Sequence, residues 1–126
     1  MNFPENLKYT KDHEWIKIDG DTGTIGITDY AQGELGDVVF VELPSVGKAL
    51  KANDSFGTIE AVKAVSDLYA PVSGSIVEIN RELEKTPETV NKDPYNAGWM
   101  VKIKFSNTSE ISSLLDAAAY KALIGK

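Results

Sequence analysis

Apolar and polar residues alternate with a period of two along most of the chain and take up a helical period only near its end. In HEWIKID, within the run from Lys8 to Asp19, Trp15 and Lys17 alternate with Ile16 and Ile18. That spacing sends successive side chains to opposite faces of an extended strand. Gly20-Asp21-Thr22-Gly23 then reads as a turn and Thr24 to Ile27 as a return strand, so the first predicted element is a hairpin. Thr28 is placed to cap a short helix from Asp29 to Leu35, with an acid at its positive end and Gly36 as its stop. Val38 to Leu43 (VVFVEL) is a strong strand that breaks at Pro44, where the missing amide hydrogen ends a ladder. SVGKALKAND after it reads as turns plus a short extended piece.

The stretch GTIEAVKAVSDLYAPVSG, Gly57 to Gly74, holds two β-prone runs on either side of Lys63, which the pattern puts at the bend of a second hairpin. Gly74 to Asn80 (GSIVEIN) is a further strand, and its glycine-then-apolar pattern echoes Gly36 to Val41, a hint of two similar halves flanking the lysine. Thr86 and Pro87 open a short helix near Glu88 to Val90, followed by the loop NKDPYNAG. Trp99, Val101, Ile103 and Phe105 then alternate with Met100, Lys102 and Lys104, the clearest strand with one buried face. From Ser109, Ile111, Leu114, Leu115, Ala118, Ala122 and Leu123 fall at helical spacing, with Asn107 and Glu110 as a capping box. Many short strands with turns predict one mainly β domain over residues 1–126, a sandwich or flattened barrel covered by a C-terminal helix from about residue 109.

Charge and cysteine content narrow the function. With 13 Lys and Arg against 19 Asp and Glu, the net charge of -6 repels a nucleic-acid backbone and suits basic patches on protein partners. The absence of cysteine excludes disulfides, a thiolate nucleophile and thiolate metal sites, and a single histidine excludes a His-rich metal site. No segment reads as a leader or has the length of a membrane span, so a soluble, cytoplasmic protein is expected. At a hairpin tip the Lys63 ammonium stays in water within reach of a modifying enzyme, and the small Ala61 and Ala64 leave room around it. By spacing alone the simpler reading is an ordinary solvated lysine among the chain's many.

More specific are HEW at His13 to Trp15, IGITDYAQGELGDVVFVELPSVG from Ile25 to Gly47, the Glu60-x-x-Lys63 pair, APVSG and NKDPYNAGWM. They run in order from about Leu7 to the C-terminal helix and together closely resemble the H proteins of the glycine cleavage system. The resemblance implies a lipoyl-carrier fold of two small sheets, with lipoate in amide linkage to the Lys63 side chain. It also implies a carrier without turnover of its own. Its lipoyl-lysine arm would take an aminomethyl group from the pyridoxal-phosphate glycine decarboxylase (P protein) to the tetrahydrofolate-dependent aminomethyltransferase (T protein). Dihydrolipoyl dehydrogenase (L protein) would reoxidise the arm, and a lipoate ligase or lipoyl/octanoyl transferase would attach it. No side chain of a cysteine-free protein could do that chemistry.

The alternatives are a lipoyl or biotinyl carrier domain of another multienzyme complex, or a lipoyl-relay protein. Biotinyl domains typically flank the lysine with methionines, and lipoyl domains of 2-oxoacid dehydrogenases usually put Asp before it; here Val62 and Ala64 stand there. A small β-rich interaction module would not account for HEW and the lysine hairpin together.

Glu14, in an apolar-leaning strand, reads by itself as pointing to water. The resemblance instead gives it a place in a cleft that holds the loaded arm, pairing with a protonated amine. That cleft is expected between the HEW segment and the residues from about Ile27 to Leu35. Strand parity puts Glu60 on the face opposite Lys63, as a recognition element for the lipoylating enzyme or simply an exposed glutamate. Asp12 and Asp67 either add negative potential at that cleft or, as the simpler reading has it, are turn residues that stabilise their own backbone; Glu34 stands where some relatives carry a histidine near the cleft, and His13 reads as structural rather than as a general base.

Overall fold

The alternating runs fold into two antiparallel sheets. The computed structural model describes residues 2–125. Its larger sheet has the order β1-β2-β3-β9-β8-β5, made of β1 (Lys8–Tyr9), β2 (Glu14–Asp19), β3 (Thr22–Ile27), β9 (Val101–Phe105), β8 (Gly74–Ile79) and β5 (Ala49–Leu50). The smaller sheet is β4-β6-β7, from β4 (Val38–Glu42), β6 (Ser55–Ala61) and β7 (Val65–Tyr69). This is the flattened sandwich expected. Its main core takes Ile16, Ile25, Ile76, Val101 and Ile103 from one sheet and Val41, Ile59 and Leu68 from the other. Burial of each such side chain contributes about 1.5–3 kcal/mol. The echo between Gly36–Val41 and Gly74–Ile79 falls on strands in different settings: β4 is an edge of the small sheet, β8 an inner strand of the large one.

In the first hairpin the turn is only Gly20-Asp21, since Asp19 already faces Thr22 across the ladder. Gly20 has the positive φ of 63° that the turn requires. Gly23 belongs to β3 and is a glycine for space: a Cβ there would sit 2.7 Å from Ile16 Cδ1 and 2.9 Å from Phe105 Cζ. Strand β9 alternates as expected from Val101 to Phe105, but Met100, placed on the polar side by the pattern, is fully buried while Trp99 is half-buried. Both residues precede the strand, so its alternation does not bind them.

Helix α1 (Asp29–Leu35) has the expected caps: Thr28 Oγ1 accepts the Ala31 amide, and the Gly36 amide donates to Gln32 O. Pattern reading missed α2 (Glu82–Lys85), a single turn anchored by buried Leu83. Helix α3 (Thr89–Lys92) follows Pro87.

The C-terminal segment departs most from expectation. Instead of one helix from about Ser109 there is a 3-10 helix (Thr108–Ser113), an extended Leu114–Asp116, and α4 (Ala117–Leu123). Leu115 forms a two-way backbone bridge with Tyr9, which interrupts the helix. Asn107 caps the 3-10 turn, but the Glu110 carboxylate accepts from Ser73 N and Oγ instead of closing a capping box. Helix α4 buries Ala117 and Tyr120 and leaves Ala118, Ala122 and Leu123 exposed. Its buried face joins Phe3, Leu7, Tyr9 and Trp15 in a second, mostly aromatic cluster.

Candidate functional site

Lys63 lies at the tip of the β6–β7 hairpin, beyond the last ladder pair Glu60↔Val65. The Ala61 amide donates to Ala64 O at 2.7 Å, so the bend is tight and its root fixed. The Val62 amide donates to Asp37 O at 3.0 Å, pinning the tip to the α1–β4 junction. There the lysine stem crosses Gly36: its Cε is 3.2 Å from where a Cβ on that glycine would stand. Gly36 at φ 81° thus serves both as helix cap and as a floor for the stem. Asn91 of α3 steadies the floor, with Nδ2 donating to Gly36 O at 2.8 Å and Oδ1 accepting the Val38 amide at 2.8 Å. Lys63 itself is exposed.

Beside this junction is a cleft of about 230 Å³. One wall is Asp12, His13 and Glu14; the second is Ile27 with Tyr30, Ala31, Glu34 and Leu35 of α1; Ile59 and Ser66 to Leu68 close it from the lysine hairpin. The HEW segment and the Ile27 to Leu35 stretch do come together, as expected. Asp12 and Asp67, turn residues on the simpler sequence reading, also face the cleft, as does Glu34. The lining therefore holds four carboxyl groups and no lysine or arginine. A larger, shallower groove of about 1050 Å³ between β5, β8 and residues 104–110 has no part of the lysine hairpin in its lining.

Glu14 is not the water-pointing strand glutamate of the simplest reading; it is 2 % exposed. Trp15 and Ile16 are buried in different clusters, so both faces of β2 are covered here and alternation says nothing about exposure. Glu14 Oε1 accepts from Thr10 Oγ1 at 2.8 Å and Oε2 from the Tyr69 amide at 3.2 Å. Burial outweighs these hydrogen bonds and pushes its carboxyl up to about 8.

His13 has a left-handed backbone, φ 68°, held by its amide to Thr10 O and by its carbonyl accepting the Thr28 amide. Its Nδ1 lies 2.8 Å from the Tyr120 hydroxyl, and burial lowers its pKa below the ordinary histidine value. His13 also stands on the lining of the cleft. Glu60 is half-buried on the outer face of the small sheet, in a cross-strand row with Phe40 and Val65, which are 46 % and 66 % exposed. Lys63 lies beyond the strand, so parity does not relate the two. Sequence reasoning missed Thr10, Asn91 and Tyr120; the spacing Ala117, Tyr120, Ile124 was a helical signal that could have singled out the last.

An exposed primary amine on a rigid tip, beside a cleft walled by Ile27, Ile59 and Leu68 and closed by acids, fits a covalent arm with an apolar stem and a cationic end. Residues 7–126 match the family model described as glycine cleavage H-protein. The chain is 60% identical over 126 residues, all of both chains, to the glycine cleavage system H protein of Staphylococcus carnosus. It is 57% identical over 124 residues, 98% of each chain, to that of Bacteroides thetaiotaomicron. Among solved structures, a glycine cleavage system H protein from Mycobacterium marinum superposes with a TM-score of 0.91 at 43% identity, covering 98% of this chain and 100% of that one.

Proposed function

Because the chain belongs to the glycine cleavage H-protein family, we propose that it is a non-catalytic, cytoplasmic lipoyl carrier whose arm is attached to Lys63 by a lipoate ligase or lipoyl/octanoyl transferase. When bound there, lipoate would supply a dithiolane able to take electrons and hold a one-carbon aminomethyl group between glycine decarboxylase, the aminomethyltransferase and dihydrolipoyl dehydrogenase. The observation that carries the reading is Lys63, exposed on a fixed bend beside a cleft that contains four carboxyl groups.

The chain's own residues contribute anchoring, shelter and charge. Gly36 and Asn91 fix where the arm begins. Ile27, Ile59 and Leu68 offer apolar walls that exclude water from whatever docks between them. Glu14 compensates a cationic amine brought into that space; the approaching charge favours the carboxylate and draws the proton off. Phe40, Glu60 and Val65 form a face with an acidic centre through which the lipoylating enzyme recognises the hairpin.

The test is the intact mass and tryptic map of protein made with lipoate and a lipoate ligase. An adduct confined to Lys63 is expected, and amide formation removes one cation, taking the formal charge from -6 to -6 - 1 = -7. Native electrophoresis should show faster migration to the anode. Biotin on Lys63, or lipoate on other lysines, refutes the assignment.

Glu14 also makes a prediction for the unmodified chain. Its folded pKa of about 8 lies above the ordinary carboxyl value of 4.5, so the folded state holds the proton more tightly. Its contribution to stability is then fully present below pH 4.5 and is lost as pH rises through 8. Glu14→Gln should remove this dependence, so the variant's melting temperature gains on wild type between about pH 5 and pH 9. Parallel melting curves across that range would show that Glu14 is not an unpaired buried acid.

A further inference from the structure

The two main walls of the cleft come from separate segments, the turn with Asp12, His13 and Glu14, and α1 with Tyr30, Ala31 and Glu34. Tyr120 belongs to α4 and lines neither, yet its buried hydroxyl reaches both. It lies 2.8 Å from His13 Nδ1 and 2.8 Å from Thr28 Oγ1, and Thr28 is the cap of α1, accepting the Ala31 amide at 3.1 Å. Each hydroxyl owns one proton, which decides the direction of the chain. If Thr28 donates to Tyr120 and Tyr120 donates to an unprotonated Nδ1, both protons have acceptors and Thr28 still receives Ala31. In the reverse order the Thr28 proton has no acceptor among these groups. His13 is therefore neutral, with its proton on Nε2. The tyrosine ring cannot drift, being stacked on Tyr9 at 4.9 Å and set edge-on to Phe3 at 5.7 Å. The His13 backbone, in a region costly for a non-glycine residue, depends on such contacts to keep its shape.

We propose that the C-terminal helix sets the width of the cleft: the Tyr120 hydroxyl is a positioning group that locks the His13 turn to the start of α1 and so keeps water from Glu14. The purpose assigned to this clasp rests on the carrier reading; its geometry does not. The acids facing the same space are Asp12, Glu34 and Asp67, so a wider cleft changes the solvation of Glu14 without bringing it a counter-ion from the lining.

The test is Tyr120→Phe in the full chain, which keeps the stacked ring, against Tyr9→Phe, which removes a neighbouring hydroxyl bonded to Pro4 O and outside the chain to His13. In unmodified protein, nitrogen NMR should show a single Nε2–H tautomer of His13 in wild type and in Tyr9→Phe, and a mixture in Tyr120→Phe. The carboxyl titration of Glu14 should fall from about 8 towards the ordinary range in Tyr120→Phe alone, by about one unit, as water enters. In lipoylated protein carrying an aminomethyl load, that variant should lose the load roughly fivefold faster, the size of one lost hydrogen bond. Unchanged His13 and Glu14 signals, or equal changes in Tyr9→Phe, overturn the proposal; altered NMR with an unaltered rate of loss overturns the protective purpose assigned to the clasp. If Lys63 takes no lipoate, the carrier reading fails, and the unmodified chain alone decides for or against the clasp.

Discussion

Replacing Lys63 with arginine should abolish lipoylation altogether and with it all carriage of one-carbon units in a reconstituted glycine cleavage assay. A guanidinium keeps the charge and most of the stem length, but it stays protonated and is no acceptor for an acyl group under these conditions. The fold should not notice. Lys63 is exposed, makes no ion pair among the described residues, and approaches Gly36 most closely through its Cε. Melting within about 0.5 kcal/mol of wild type is the expectation for such a surface change. Retained lipoylation of Lys63→Arg would move the attachment site elsewhere and remove the basis of the function proposed. The same ligase assay ranks Glu60: Glu60→Ala should slow modification of Lys63 without preventing it, and an unaltered rate would reduce Glu60 to a solvated strand residue.

The largest effect on stability is expected from Trp15→Ala. The indole is fully buried, donates through Nε1 to Pro94 O at 2.9 Å, and lies flat against its cross-strand partner Gly26. A Cβ on Gly26 would sit 2.7 Å from that same Nε1, so the glycine exists to admit the ring. Truncation leaves a cavity between β2, the Pro94 loop and Tyr95, and an unpaired carbonyl, together about 3–5 kcal/mol. Set against a total of about 5–15 kcal/mol, that should lower the melting temperature by on the order of 10 °C or more. A fall under about 3 °C would show that the second cluster collapses around the loss. Glu14 is the next residue along, so the cleft wall should loosen together with the fold.

Period-two alternation located most of the ladder strands, because a strand with one covered face writes its burial into neighbouring residues. It failed where a second layer lies over the other face. At Glu14 to Ile16 that layer includes Tyr120, more than a hundred positions away, which nothing local to the strand announces. Gly23 misled for a related reason: a glycine that admits Ile16 and Phe105 looks in sequence the same as one that makes a turn. The helical spacing after Ser109 was real, but the bridge between Leu115 and Tyr9 draws the chain out for three residues and re-phases the face that α4 buries. The family motifs brought out Lys63 and Glu14. The other acids of the cleft, at positions 12, 34 and 67, come from three separate elements; in sequence Asp12 and Asp67 could equally be plain turn residues, and the assembled fold puts all three on the lining.

The seat of Lys63 over Gly36 has a kinetic meaning. Leu35, adjacent in sequence, already lines the cleft, so on the carrier reading proposed above a load on the lysine stem would begin its search at the rim. A tether this short holds its load at an effective concentration on the order of millimolar. An intrinsic dissociation constant of about 1 mM, roughly 4 kcal/mol, then suffices to keep the load docked about half the time. A tighter grip would lengthen each visit and make the load harder for the next enzyme to collect. If the chain carries a load as proposed, a small cleft with one buried carboxyl suits brief custody rather than storage.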